Sequence, residues 1–183
     1  MNVSPTNIAD VYVVDKSAFE DARGAFSRLF CSRELQDVLH GEAIVQINHS
    51  MTHNIGAIRG LHYQKYPHAE IKIVQCLKGR VFDVAVDLRQ KSPTFLQWAA
   101  VELSPRNRRA LVIPKGCAHG FQVLEENSEL LYMHTEFYTP AAEGAIRFDD
   151  PKVNVKWPLE PSDLSARDSS HHYLGSEFEG LDS

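Results

Sequence analysis

From residue 42 to residue 150 the apolar side chains fall in short runs or alternate with polar ones. That is the period of strands rather than helices. "EAIVQINHS", "IKIVQCLKG", "RVFDVAVDLR", "LQWAAVELS", "RALVIPKG", "HGFQVLEE", "ELLYMHTEFY" and "GAIRFDD" all read as strands. The stretches "LKGR", "QKSPT", "SPRN", "IPKG", "LEEN" and "YTPAAEG" between them carry the Gly, Pro, Asn and Ser of turns. Within "VFDVAVDL", Val81, Asp83, Ala85 and Asp87 alternate with Phe82, Val84, Val86 and Leu88. One face is therefore apolar, as an antiparallel sheet with one covered side requires. Many short strands at regular spacing predict an all-β sandwich or barrel.

Helical periodicity is scarce. "SRELQDVLH" (32–40) is the best helix candidate, with Ser32 as N-cap and Leu35, Val38 and Leu39 on one face. After "VKWP" (155–158) the chain turns polar, rich in Ser, Pro and acids. A short helical turn is expected near "PSDLSARD", and the last dozen residues are expected to be mobile. There is no internal repeat, and 183 residues suit one domain spanning 1–183.

Composition narrows the function. Hydrophobic residues make up 43%, enough for a real core, and the net charge is -5, which gives no reason to expect nucleic-acid binding. No apolar run approaches membrane-spanning length. The opening "MNVSPTNIADVYVV" lacks a basic region followed by an apolar core, so no secretory signal is expected. Cys31, Cys76 and Cys117 are widely spaced and form no CxxC pair. Neither a disulfide framework nor a zinc site is suggested, and a reducing cytoplasm is the simple reading. Cys117 reads as a small buried residue rather than a nucleophile.

Three clusters carry the candidate chemistry. They are Arg59, His62 and Lys72; "IPKGCAHGF" (113–121) with His119; and "LLYMHTEFYTP" (130–140) with Tyr132, His134, Phe137 and Tyr138. The P-x-G-x-x-H spacing ending at His119 resembles the second conserved stretch of cupin jelly rolls. Metal-binding cupins supply H-x-H and a downstream Glu from the first stretch. Here His62 is followed two residues on by Gln64, and His68 and Glu70 do not restore the spacing. A metal site needs three or four converging ligands, and none is expected. His62 is left as a satisfied core histidine or a general base. An imidazole near pKa 6.5 suits the second role if a carboxylate orients it. A lysine can balance an oxyanion, a tyrosine can return a proton, and arginine can clamp phosphate.

The chain also resembles the dTDP-4-dehydrorhamnose 3,5-epimerase family of the cupin superfamily. The matching pieces are "DARGAFSRLF" (21–30), "VQINHS" (45–50), "IRGLHYQ" (58–64), "KIVQCLKGRVFDVAVDLRQKSPTFLQW" (72–98), "LSPRNRRALVIPKGCAHGFQVL" (103–124), "LLYMHTEFYTP" (130–140), "IRFDDP" (146–151) and "WPLEPSDLSARD" (157–168). The resemblance implies an all-β, cupin-type jelly roll with a few short helices. A segment from about 158 would pack over the barrel mouth. It implies a cytoplasmic, cofactor-free homodimer acting on a nucleotide-diphosphate sugar. Epimerisation would occur at C3, C5 or both of a dTDP-4-keto-6-deoxyhexose.

By the same resemblance His62 would be the base, Asp168 its partner, Lys72 the enolate stabiliser and Tyr132 the acid. Arg59 and Arg23 would hold the diphosphate, and Gln46 and Asn48 the nucleotide portion. Phe26 and Tyr138 would stack on base or sugar, and His119 would line the pocket. In the family a strand and some substrate contacts cross between subunits. The chain departs from the family at Glu70, Ile71 and Met133, and in "FDDP". These departures bear on the sugar, the nucleobase and the number of centres inverted. The alternatives are a mono-epimerase on another nucleotide 4-keto sugar, a metal-dependent cupin oxygenase and a non-catalytic sugar-nucleotide binding module.

Overall fold

The computed structural model describes residues 1–182. Its strands are β1 (Asn2–Pro5), β2 (Tyr12–Asp15), β3 (Ala18–Asp21), β4 (Gly24–Ser27), β5 (Gln46–Thr52), β6 (Ile58–Gln64) and β7 (Lys72–Lys78). They continue with β8 (Val81–Asp87), β9 (Trp98–Leu103), β10 (Arg109–Ile113), β11 (Cys117–Val123), β12 (Ser128–His134) and β13 (Glu143–Ala145). One short helix, α1 (Ala166–Ser170), follows.

Two sheets form the barrel. One runs β1-β2-β10-β7-β12-β5 and the other β13-β6-β11-β8-β9, while β3 and β4 pair only with each other. The named strand pairs are antiparallel. Between the sheets lies a core that includes Val74, Val81, Ala85, Leu103, Leu111, Phe121 and Leu130. This is the all-β barrel that the strand pattern predicts, in the jelly-roll form that the resemblance implies.

The β8 strand departs from its half-covered reading, because both of its faces are buried. Val81 and Ala85 enter the barrel core. Val84, Val86 and Leu88 form a second cluster outside the sheet with Ile146, Val153 and Val155. Full burial of each such side chain stabilises the fold by about 1.5–3 kcal/mol. Asp83 and Asp87 are buried with the inner face, which is tolerable only because each is paired. Asp83 meets His119, and Asp87 accepts from the Arg89 guanidinium at 2.9 Å and from the Thr94 hydroxyl at 2.7 Å.

Residues 32–40 form turns rather than the expected helix. Separate hydrogen bonds run from Leu35 N to Cys31 O and from Leu39 N to Leu35 O. The predicted apolar side is real, since Leu35 and Leu39 are buried beside Val38 in a cluster under the first sheet. Two turns suffice to deliver both leucines. His40 and Gly41, at φ 51 and 78, stop any propagation.

Within 172–182, part of the stretch expected to be mobile, there are packing contacts. Leu181 N donates to Leu88 O at 2.6 Å, and Phe178 stacks on Phe95 with centroids 6.1 Å apart. Their apolar side chains cover the outer face of the β8 sheet. Cys117 matches its reading as a small buried residue. Cys76 and Cys117 are buried, and burial pushes the Cys76 thiol up to about 11 and the Cys117 thiol higher still.

Candidate active site

His62 on β6 pairs in register with His119 on β11. Two residues away the strands approach unusually closely. A Cβ on Gly60 would lie 2.6 Å from the Gly120 Cα, and Gly60 has φ 125. The register shifts between His119 and Phe121 at this point, and such a bulge re-aims neighbouring side chains. The "RGLH" and "AHGF" stretches thus need their glycines to set both histidines.

The facing sheet supplies the rest. Tyr132 on β12 lies opposite Asn48 on β5, and His134 lies opposite Lys72 on β7. Tyr132 and His134 share a face by the two-residue period of a strand. Together these residues bound a cavity of about 370 Å³ that also includes Arg59, Ser50, Phe121 and Arg167.

Asp168 reaches this cavity from the far end of the chain. Its segment is held against β6 by Ile58 N to Asp163 O at 3.0 Å and Ser162 N to Gly56 O at 3.2 Å. Ser165 then caps α1 by accepting from Asp168 N at 2.9 Å. The carboxylate Oδ1 meets His62 Nε2 at 2.7 Å, and Gly60 N approaches Oδ2 at 3.4 Å. Burial alone would raise this carboxyl pKa. The bonds from His62, Gly60 and Ser165 outweigh it and hold the carboxyl below its ordinary range. His62 keeps Nδ1 without a hydrogen-bond partner among the described residues.

Two further groups have fixed protonation. His119 is buried with Nε2 at 2.8 Å from Asp83 Oδ1. Burial pushes its imidazole pKa down despite that carboxylate, with Lys72 and His62 adding to the effect, so it is neutral at pH 7. The Tyr132 hydroxyl lies 3.0 Å from Ser50 Oγ, and burial pushes the phenol far above its ordinary value. It therefore carries its proton throughout the physiological range. Lys72 Nζ lies 3.2 Å from Glu70 Oε1. Arg59 donates from Nε to Thr52 Oγ1 at 2.9 Å, and it is in no ion pair among the described residues.

Gln46 and Tyr138 line an adjoining cavity of about 150 Å³ that shares Asn48, His62 and Lys72. Tyr138 N donates to Gln46 Oε1 at 3.1 Å. Arg23 and Phe26 are not in either cavity of this chain. Both belong to the β3–β4 hairpin, which joins neither sheet. Arg23 pairs with Asp21 at 2.6 Å, while Phe26 is 73% and Phe19 80% exposed.

Ser50, Asp83 and Arg167 carry no role in the sequence reading. His134, placed in the third cluster without a role, lines both cavities. Glu70 contacts Lys72, Gln64 and His134 and lines the second cavity. Its proximity to Lys72 in "EIKIV" was the available signal. The second histidine of the His-x-His pair of metal cupins is replaced here by Gln64, and His119 Nε2 bonds Asp83.

An imidazole pinned at one nitrogen can take a proton through the other. A phenol that keeps its hydrogen can give one from the facing sheet, and an ammonium can balance charge between them. A jelly roll with these groups around its cavity falls in the proton-moving, cupin-like class. The family is fixed by the whole chain. A family model described as dTDP-4-dehydrorhamnose 3,5-epimerase matches residues 5–176, and the chain belongs to that family. It is 43% identical over 169 residues to the dTDP-4-dehydrorhamnose 3,5-epimerase of Shigella flexneri, covering 92% of this chain and 93% of that one. It superimposes on the crystal structure of a dTDP-6-deoxy-D-glucose-3,5-epimerase from Legionella pneumophila, in complex with dTDP-4-keto-L-rhamnose. The TM-score is 0.92 at 36% identity, over 100% of this chain and 98% of that one. A 3'-monoepimerase from Streptomyces bikiniensis in complex with dTDP-quinovose superimposes with TM-score 0.85 at 28% identity, over 92% and 86%.

Proposed function

We propose that His62 removes the proton alpha to the C4 ketone of a dTDP-4-keto-6-deoxyhexose, and that Tyr132 returns one to the opposite face. The chain is a nucleotide-sugar epimerase of deoxysugar biosynthesis. The observation that carries the residue assignment is the 2.7 Å bond between His62 Nε2 and Asp168 Oδ1. It commits one imidazole nitrogen to a carboxylate and leaves Nδ1 as the basic one.

The steps follow from the placement of charge. Abstraction converts His62 to imidazolium, which the Asp168 carboxylate stabilises. The electron pair moves onto the C4 oxygen as an enolate, and the Lys72 ammonium balances it. Tyr132 lies on the facing sheet, so reprotonation from its hydroxyl inverts the carbon. His119, neutral and tied to Asp83, shapes the wall. Arg59, without a carboxylate partner, is the clamp for diphosphate oxygens. Asn48, Gln46 and Tyr138 extend toward the nucleotide.

Arg23 and Phe26 complete the site of a second copy in this proposal. A homodimer exchanges its β3–β4 hairpins, which accounts for two phenylalanines standing out in solvent. Residues from about 158 to 182 belong to the same domain and form the rim that carries Asp168. No helix among the described residues is long and apolar enough to cross a membrane, and the proposed place of action is the cytoplasm.

The test is to incubate the protein with dTDP-4-keto-6-deoxyglucose in heavy water and follow C3 and C5 by NMR. Deuterium at both carbons is the expected result. Label at one carbon alone would make the chain a mono-epimerase, and binding without label would contradict the catalytic reading.

A further inference from the structure

The α1 helix delivers Asp168 to the base and also places His171 three residues later. His62 Nε2, a carboxylate oxygen of Asp168 and a ring nitrogen of His171 lie within 4.8 Å of one another. His171 Nε2 is buried and has no hydrogen-bond partner among the described residues. It stands 3.7 Å from Asp168 Oδ1, too far for a hydrogen bond. The two imidazoles meet edge to face, with centroids 6.0 Å apart and an interplanar angle of 82°. Nothing in the proposed epimerisation uses His171.

Two imidazole nitrogens and one carboxylate oxygen are the donor set of a three-ligand zinc site with one open position. Bonds of about 2.0–2.2 Å around a tetrahedral ion put its donors roughly 3.4 Å apart. The observed separations, 2.7 Å between His62 and Asp168 and 3.7 Å between His171 and Asp168, lie on either side of that value. The third pair, His62 with His171, lies within 4.8 Å, so closing it to that value takes up to about 1.4 Å, shared between two side chains. The cavity of about 370 Å³ is lined by His62 and Asp168, so a water can approach the fourth position from their side, with His171 closing the site from behind. This is not the ligand set of a cupin metal centre. It draws on the C-terminal helix, and His119 stays with Asp83.

We propose that His62, Asp168 and His171 form a binding site for a divalent transition-metal ion such as zinc, and that its occupancy inhibits the epimerase. The ion takes the lone pair of His62 Nε2, and the ring binds as neutral imidazole with its single proton moved from Nε2 to Nδ1. Nδ1 then has no lone pair with which to accept a proton from carbon. The inhibitory half rests on His62 being the base, whereas the binding half does not.

Cobalt(II) is the probe, titrated into chelator-stripped protein and followed by its visible absorption. The wild type is expected to bind one ion. His171→Asn and Asp168→Asn should each weaken that binding by roughly a hundredfold or more, while His172→Asn leaves it unchanged. Zinc should inhibit wild-type epimerisation, reversed by chelator, and His171→Asn should need roughly a hundredfold more zinc. Circular dichroism of each variant checks the fold. Equal cobalt affinity in folded wild type and His171→Asn, or in wild type and Asp168→Asn, would overturn the site. Binding that depends on His171 but leaves epimerisation untouched would uphold the site and contradict His62 as the base.

Discussion

Glu70 and Lys72 lie on the same wall of the site with 3.2 Å between carboxylate and ammonium. Burial would raise the Glu70 pKa. His134 and Lys72 outweigh it and keep the carboxyl below its ordinary range. Lys72 is therefore anchored, and part of its charge is already balanced before substrate enters.

Glu70→Gln keeps an oxygen near Lys72 and removes the countercharge. An anionic substrate and an enolate should both gain, so kcat/KM is expected to rise by about threefold to tenfold, or about 1 kcal/mol. Steady-state kinetics at low ionic strength checks this. A tenfold fall would mean that the carboxylate is needed to position the ammonium.

Asp168→Asn leaves the shape of the dyad and removes the charge that stabilises the imidazolium. The expected loss is about 10²–10⁴ in kcat, measured by turnover of the 4-keto sugar. The same variant has a pH signature. The Asp168 carboxyl is lower in the folded protein than its ordinary 3.8. Its contribution to stability is thus full above that value and lost as pH falls through the lower, folded one. Urea unfolding should show wild type more stable than Asp168→Asn at pH 7, with the gap closing below about pH 4.

Tyr132→Phe should separate the two halves of the reaction. Hydrogen exchange at carbon depends on His62 and should fall little, while net inversion should fall by about 10²-fold or more. NMR in heavy water reads both in one tube. Equal loss of exchange and inversion would contradict Tyr132 as the acid.

Arg23 and Phe26 act on the partner's substrate in this account. Arg23→Ala should raise KM by about tenfold or more, as loss of charged hydrogen bonds to a diphosphate implies. At substrate well below KM, where Arg23→Ala sites are nearly silent, unfolding and refolding an equal mixture of His62→Ala and Arg23→Ala chains should give about a quarter of wild-type activity through random pairing. No recovery in a mixture that sedimentation shows to be dimeric would place Arg23 in its own chain's site.

The strands were legible because alternation survives wherever a sheet has unlike faces, as in "VFDVAVDL". The same rule misjudged Asp83. A polar alternate looks solvated until the register with β11 sets it beside His119. Leu35 and Leu39 marked a buried side correctly, but two turns delivered it without a helix. Nothing in local spacing joins His62 to Asp168, which are 106 residues apart, and only the resemblance paired them. His171 was invisible for the same reason. Its meaning depends on where α1 docks, not on its neighbours in "SSHHYLG".

The central claim is that His62 takes the proton from carbon. It is tested most directly by the rate of deuterium entry at C5 in heavy water for wild type and a folded His62→Ala. The account predicts that exchange falls by at least about 10²-fold in the variant while the sugar nucleotide still binds. Exchange within about threefold of wild type, less than 1 kcal/mol in barrier, would contradict it.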